Sequence, residues 1–509
     1  MSNERPSRRV GALVLTFLLS AAALTWARRT GDEEAGGAEL RVLSTSPARH
    51  QGDVPRGTSI SITFDRPLQT ATITPDSFRV FGRWSGRADG SLSFSNGDQT
   101  VTLTPDREFS GGEPVFVNLA HSIVGADLTP LRPAGYAFQF TAAAGRRGPH
   151  VDPLRRRVFT RIDTLNVRTT QGTTTRAYGG LASDFDRDGW LDLAIVNEDS
   201  ADLRVFLNRA DGSGNYNAFL QPPTPIGRVA SPNKPGDFNN DGLPDAATAN
   251  VADNSVSIVL GRGDGTFDPQ QVVPVGATPH GLVVLDVDGD ADPDIVTANT
   301  SGNNLSLMLN NGSGVFGPSV SFDSGGNAEY ALGAGDMDND GIYDLVVGTR
   351  ADQTIHVLVG NGNGTFTHRS SRAAGGLTWM INLGDVDGDG NMDVSSANSQ
   401  SNNGAILKGN GDGTLGAAAV VAASSIIVAT DLGDLDGDGD LDWVLSSFGG
   451  SRWHMFLNNG SGVMTQDRVF FAPQAASCSV FLDFDNDSDV DLALVDEVAD
   501  VVLLMRNGR

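Results

Sequence analysis

One ten-residue pattern, Asp-x-Asp-x-Asp-Gly-x-x-Asp plus a following residue, recurs seven times in this chain. It reads "DFDRDGWLDL" at 184, "DFNNDGLPDA" at 237, "DVDGDADPDI" at 286, "DMDNDGIYDL" at 336, "DVDGDGNMDV" at 385, "DLDGDGDLDW" at 434 and "DFDNDSDVDL" at 483. The starts are separated by 53, 49, 50, 49, 49 and 49 residues. So regular a period marks a stacked or closed repeat architecture, in which each unit buries its apolar faces against its neighbours.

Every unit has the same grammar. An apolar run such as "HGLVVLD" enters the acidic loop, and a second run such as "DIVTAN" leaves it. After a polar turn comes a third run ("LSLMLN", "IHVLVG"), then a glycine hairpin ("NNGSGVF", "GNGNGTF", "GRGDGTF") and a fourth run. Short runs rich in β-branched residues, bounded by Gly, Asn and Asp, are strands. Four strands in a unit of ~50 residues is a propeller blade. The expected fold is all-β, a seven-bladed β-propeller over residues 155–509. The seventh unit stops at "VVLLMRNGR", short of a fourth strand, and the missing piece stands before the first loop, in "RRRVFTRIDTLNVR". Phe159 there matches Phe267, Phe316 and Phe366 of the other hairpins. Residues 155–168 are thus expected to complete the last blade and close the ring, which removes an exposed sheet edge.

Five acids in ten residues repel one another unless a cation sits among them. Calcium takes six to eight hard oxygen ligands. Positions 1, 3 and 5 of a tight loop face one ion, glycine at 6 allows the turn, position 7 offers a carbonyl and position 9 another carboxylate. In the loop at 434 these are Asp434, Asp436, Asp438, the carbonyl of Asp440, and Asp442. The other sets, in the same order, are Asp184, Asp186, Asp188, Trp190 and Asp192; Asp237, Asn239, Asp241, Leu243 and Asp245; and Asp286, Asp288, Asp290, Asp292 and Asp294. They continue with Asp336, Asp338, Asp340, Ile342 and Asp344; Asp385, Asp387, Asp389, Asn391 and Asp393; and Asp483, Asp485, Asp487, Asp489 and Asp491. The start resembles an EF-hand, but position 12 is Ile195, Thr248, Thr297, Val347, Ser396, Leu445 or Leu494, never acidic. Oxygen-only ligation without His or Cys speaks against zinc and copper, and magnesium prefers a more hydrated octahedron. The expected cofactor is Ca²⁺, up to seven ions in a structural role.

These units resemble FG-GAP/VCBS repeats, the calcium-binding blades of integrin α-subunit propellers and of many bacterial surface proteins. The likeness spans roughly 151–509 and implies that the aspartates named above are the calcium ligands. Three loops depart from the pattern: Asn239 replaces the second Asp, while Ala291 and Ser488 replace glycine. Those sites are expected to be weaker or to carry local strain of ~1 kcal/mol.

Residues 39–143 lack the loop and show alternating strands, "SISITF", "SFRVFG", "TVTLTP", "PVFVNLA" and "YAFQFTA", as in a β-sandwich. Their phrasing resembles bacterial Ig-like domains. Ahead of them, Arg5, Arg8 and Arg9 precede an uncharged run from Val10 to Ala27. Residues 1–27 are expected to be an export signal, or a retained anchor, with flexible linkers at 28–38 and 144–154. With a single cysteine, Cys478, no intramolecular disulfide can form, so an exported chain must be held by its core, by metals, or by both. A net charge of -26 excludes nucleic acid as a partner, because phosphate binding needs a basic footprint.

The seven histidines fall in different repeat phases and no nucleophile or phosphate-loop motif occurs, so no catalytic residue is assigned. Arg262-Gly263-Asp264 matches a tripeptide that some integrins recognise, but the hairpin pattern explains two of its three residues, and so short a match is a weak signal of adhesion. Trp190, Trp379, Trp443 and Trp453 vary between units and are either ligand-facing or packed between blades. The expectation is a calcium-binding adhesion, binding or scaffold protein at the cell surface or outside the cell, with a protein or carbohydrate ligand. The alternative is a polysaccharide lyase or hydrolase, which requires non-repeating charged residues converging at one end of the channel.

Overall fold

The computed structural model describes residues 39–145, 158–169 and 174–508. The expected export signal or anchor at 1–27, the linker expected at 28–38 and most of the one expected at 144–154 lie outside the described residues. Among the described residues the one helical element is a single 3-10 turn, Thr70–Thr72. No helix there is long and apolar enough to cross a membrane.

The repeat region forms seven four-stranded antiparallel sheets. Their inner strands are Ala177–Ser183, Ala230–Gly236, Pro279–Leu285, Glu329–Gly335, Thr378–Gly384, Ile427–Gly433 and Ala476–Leu482. Each packs against the next inner strand, and Ala476–Leu482 packs against Ala177–Ser183, so the series closes on itself. The second strand of every sheet opens on the ninth loop residue: Asp192, Asp245, Asp294, Asp344, Asp393, Asp442 or Asp491. All seven second strands are buried along their whole length. Burial on both faces explains their near-continuous small and apolar sequences.

The seventh sheet takes its fourth strand from Val158–Asn166, which pairs with Val501–Gly508 in registers such as Leu503↔Thr164 and Asn507↔Phe159. Phe159 and Leu165 are buried there. Trp443 and Trp453 are fully buried. Their indole N–H groups donate to Thr430 Oγ1 at 2.7 Å and to the Cys478 carbonyl at 3.2 Å. Both are packing residues, since a buried indole needs an acceptor and leaves no face for a ligand.

The N-terminal module has two four-stranded sheets. One orders Val42–Ser46, Ile60–Phe64, Thr100–Pro105 and Gly90–Ser95; the other orders Gly86–Arg87, Phe78–Gly82, Pro114–Leu119 and Tyr136–Thr141. Inward side chains of both share one apolar core that includes Phe64, Val101, Val117 and Phe138.

This module joins the repeat region through the turn at Arg83–Ser85. Trp84 packs with Phe481 and Leu482 of the seventh inner strand, and its carbonyl accepts the Ser183 hydroxyl at 3.1 Å. The turn is held by Glu113, a fully buried carboxylate. It accepts the N–H groups of Trp84 at 2.7 Å, Ser85 at 2.9 Å and Ser110 at 2.6 Å, and the Ser85 hydroxyl at 2.6 Å. Replacing it with alanine strands three N–H donors in the interior. Glu113→Ala is therefore expected to cost about 3 kcal/mol in urea unfolding. A change within ~0.5 kcal/mol, the range of an ordinary surface substitution, would show that the turn does not depend on this carboxylate.

Candidate metal centre

Each acidic loop links the end of an inner strand to the start of the second strand, and all seven share one hydrogen-bond plan. The position 1 carboxylate accepts the N–H of position 6 at 2.8–3.1 Å. The position 5 carboxylate accepts the N–H of position 7 at 2.8–3.0 Å. These bonds fold the loop back so that alternate carboxylates converge. Among the described residues six groups hold ligand atoms within 4.8 Å of one another, five of them being Asp184, Asp186 and Asp192; Asp286, Asp288 and Asp290; Asp336, Asp338 and Asp344; Asp385, Asp387 and Asp393; and Asp434, Asp436 and Asp442.

Position 9 does more than the spacing suggested. One of its oxygens accepts the N–H of position 2 at 2.7–3.1 Å. The other accepts an N–H at the end of the third strand at 2.7–2.9 Å. That donor is Asn208, Gly261, Asn310, Gly360, Gly409, Asn458 or Asn507. Where it is asparagine, its side-chain amide also donates to the position 2 carbonyl of the preceding sheet. The pairs are Asn310 to Phe238, Asn458 to Val386, Asn507 to Leu435 and, across the ring closure, Asn208 to Phe484, at 2.6–2.9 Å. Sequence reasoning missed these asparagines. Their signal was a recurrent Asn just before the glycine hairpin.

The residues fit a hard divalent cation. Six loops each carry a buried carboxylate oxygen without a hydrogen-bond partner, on Asp184, Asp237, Asp288, Asp338, Asp387 and Asp485. An orphaned buried oxygen is costly unless something positive meets it. Burial, with added repulsion from loop neighbours, pushes Asp192, Asp245 and Asp344 up to about 8 and Asp393 up to about 7. The departing loops behave distinctly. Ala291 and Ser488 sit at φ +70° and +77°, the left-handed region that costs a non-glycine residue ~1–2 kcal/mol. Asn239 donates its amide to Asp241 at 2.8 Å, occupying a carboxylate oxygen that an aspartate would have left to the ion.

The N-terminal module sits over this loop face. Arg107 pairs with Asp184 at 3.1 Å. Arg87 donates to the Asn240 carbonyl at 3.0 Å. Arg79 donates to the Ala291 carbonyl at 2.7 Å and pairs with Asp292 at 2.6 Å. Arg49 bonds the Asn339 carbonyl and lies 3.5 Å from Asp336, and Arg56 bonds the Ser488 hydroxyl. Five of the seven loops thus meet an arginine of the module.

Elsewhere, the Arg262-Gly263-Asp264 tripeptide is tied into its own hairpin: Arg262 pairs with Asp268 at 2.7 Å, and Asp264 accepts the Thr266 N–H at 2.9 Å. Trp190 is half-buried beside Gly212. Trp379 lies at the far end of the inner strands, its indole donating to Tyr178 Oη at 3.2 Å.

An FG-GAP-like repeat model matches six overlapping stretches, 184–248, 237–297, 286–347, 336–396, 385–445 and 434–494, and the chain belongs to that family. A bacterial Ig-like domain model matches residues 37–142. No curated protein matches the chain. Among solved structures the chain is similar to an Agrocybe aegerita lectin that recognises non-reducing terminal N-acetylglucosamine, with 20% identity over 59% of this chain and 81% of that one and a TM-score of 0.42. It is also similar to a streptogramin B lyase, with 12% identity over 68% and 97% and a TM-score of 0.45. A third likeness is to the Pseudomonas aeruginosa periplasmic gluconolactonase, with 13% identity over 82% and 99% and a TM-score of 0.42. Folds of this kind carry many activities, so function rests on the site itself.

Two outcomes follow for the loops. The raised carboxylates stabilise the metal-free fold fully below their unfolded value near 3.8, and that contribution is lost as pH rises through 7–8. The melting temperature in chelator is therefore expected to fall between pH 5 and pH 8.5, whereas calcium, which binds the deprotonated form, flattens or reverses the slope; a melting temperature in chelator that does not fall over this range contradicts the assignment. Separately, Ala291→Gly relieves the left-handed strain at the third loop. It is expected to stabilise by ~0.5–1 kcal/mol after glycine's own entropy cost, read by denaturant midpoint.

Proposed function

We propose that this chain is an exported seven-bladed β-propeller held by up to seven structural calcium ions, carrying an Ig-like β-sandwich and acting as a binding, adhesion or scaffold module at the cell surface or outside the cell. The observation that carries the reading is the set of orphaned carboxylate oxygens found at six of the seven loops, at position 1 in two of them and at position 3 in four. Asp184, Asp186, Asp188 and Asp192, and their counterparts in the other loops, would hold the ion. When bound, it supplies the positive charge that buried carboxylates otherwise take from protons. Seven such ions offset 14 of the 26 formal negative charges. Loops with four carboxylates suit the weak affinity of extracellular calcium modules, ~10⁻⁴–10⁻³ M.

A second reading, a propeller-based polysaccharide-degrading enzyme, draws support from one place. Away from the acidic loops, Arg176 pairs with Glu198 at 3.2 Å and with Glu497. Burial pushes Glu198 up to about 7, Arg176 opposes that and Glu497 adds to it. A carboxyl poised near neutrality beside a second one is a recognisable acid–base arrangement, and neither glutamate belongs to the calcium pattern. Polysaccharide cleavage by the purified chain that is abolished in Glu198→Gln would favour the enzyme.

For the principal reading, calcium a hundredfold above its dissociation constant stabilises by ~2.7 kcal/mol per site. Chelation is expected to lower the melting temperature strongly, magnesium to restore it poorly, and Asp338→Asn to reduce the bound calcium by one ion. An unchanged melting temperature in chelator, with no calcium retained by the native protein, would sink the proposal.

A further inference from the structure

The interior of the ring holds charge that the calcium loops do not explain. The fifth residue of every inner strand occupies one layer, each paired with the third residue of its second strand, as in Lys234↔Ala247, Asn382↔Ser395 and Asp431↔Val444. In the other four sheets this layer is apolar or glycine: Leu181, Val283, Gly333 and Val480. Lys234 and Asp431 belong to the second and sixth sheets, on opposite sides of a seven-membered ring. Arg83, on the turn from the N-terminal module, reaches the same space.

That space is bounded at both ends. Towards the acidic loops it meets the Arg83–Trp84 turn. At the other end, aromatic residues from four sheets join across it. Tyr178 Oη lies 3.2 Å from His280 Nε2 and accepts the Trp379 indole N–H at 3.2 Å, while His280 stacks on Tyr330 with ring centres 3.6 Å apart. Arg350 covers Tyr330 and Trp379 from outside, at 4.5 and 4.8 Å. The cavity between them measures about 110 Å³. A second cavity of about 210 Å³, between the module and the loop face, is also lined by Arg83 and Lys234, which stand where the two meet.

The charges in the first cavity do not balance. Asp431 is its one carboxylate, and it already accepts the Ser479 hydroxyl at 2.7 Å. Among the described residues, neither the Arg83 guanidinium nor the Lys234 ammonium has a hydrogen bond or a carboxylate within 4.0 Å. Burial lowers both, Lys234 to about 8 with Arg83 adding to the shift, and Asp431 opposes it at each. In the second cavity Arg79 and Arg87 are engaged by Asp292 and the Asn240 carbonyl. Its carboxylates Asp237, Asp286 and Asp385 are first residues of the acidic loops. His50 there is neutral, lowered to about 4 by burial and by Arg49. Arg83 and Lys234 are half-buried, and two cations lining this space with one committed carboxylate leave one positive charge unmatched, a local excess that favours an anion there.

We infer that Arg83 and Lys234 form an internal binding site for a small oxyanion, a carboxylate or a tetrahedral anion of sulfate size, shared between the N-terminal module and the ring. An arginine from one part and a lysine from the other make the anion a tie between them. Arg83 supplies forked N–H donors and Lys234 a point charge.

The calcium-loaded full chain, equilibrated overnight in low-chloride buffer, is titrated calorimetrically with sodium sulfate and, in a separate arm, with sodium acetate. One saturable site per chain is expected. Lys234→Met and Arg83→Met should each weaken it at least tenfold, with calcium stoichiometry unchanged as the control for folding, while Lys234→Arg should retain it. The two arms distinguish a tetrahedral anion from a carboxylate. Should the methionine variants fail to fold, crystals of the unaltered chain soaked in selenate decide the matter, with an anomalous peak between Arg83 and Lys234 expected. Absence of saturable binding in both arms, affinity unchanged in both methionine variants, or selenate found only elsewhere would overturn the assignment.

Discussion

The structure depends on a carboxylate that opens a buried strand. At position 9 of each loop an aspartate accepts one N–H from its own loop and one from the end of the third strand, and six further copies repeat the arrangement. It thereby fixes three segments of a sheet at one point. At asparagine positions the same donor residue reaches the preceding sheet, so the contact also sets the spacing between sheets. Two backbone N–H groups do not compensate the burial of a full charge, which is why these groups hold their protons to neutral pH in the metal-free chain. The fold therefore needs either protons or cations at its loop face. The orphaned oxygens at positions 1 and 3 stand where a cation can meet them.

Much of this was legible because a repeat states its own grammar many times over. The seven loops, the four runs per unit and the hairpin glycines all follow from local spacing, where turn chemistry and alternation act within a few residues. The double role of position 9 was not legible, because spacing cannot distinguish a carboxylate that faces an ion from one that also serves backbone donors sixteen residues away. Strands Val42–Ser46, Gly86–Arg87 and Gly90–Ser95 were also missed. The first and last of these are mostly polar and exposed, and the middle one has only two residues, too short for any period.

The seating of the N-terminal module lay further from view. Arg49, Arg56, Arg79, Arg87 and Arg107 are scattered over five turns and strands, with no motif among them. They converge only because two sheets fold them onto one surface, opposite a ring of aspartates. In a chain with 36 basic and 62 acidic residues, placing five arginines on this face is the simplest electrostatic answer to a clustered negative surface. The loop carbonyls at Asn240, Ala291 and Asn339 complete the match by accepting N–H groups that carboxylates alone would not satisfy.

A single module over a near-symmetric ring breaks the symmetry. The loops at 385 and 434 keep the full consensus and meet no arginine of the module, whereas those at 184, 237, 286, 336 and 483 do. Under the proposed calcium reading, a guanidinium beside a loop carboxylate would stabilise the metal-free loop and so reduce the gain on binding an ion. Sequence departures alone would rank the loops at 237, 286 and 483 as weakest; the arginines add those at 184 and 336 to that group. What distinguishes one loop from another is thus decided partly outside the repeat, by which face of the neighbouring module it meets. The same asymmetry operates inside the ring, where Lys234 and Asp431 interrupt an otherwise uncharged layer and Arg83 arrives from the module. The repeats determine how the ring is held, and the residues that break the repeat give its loop face and its interior their uneven charge.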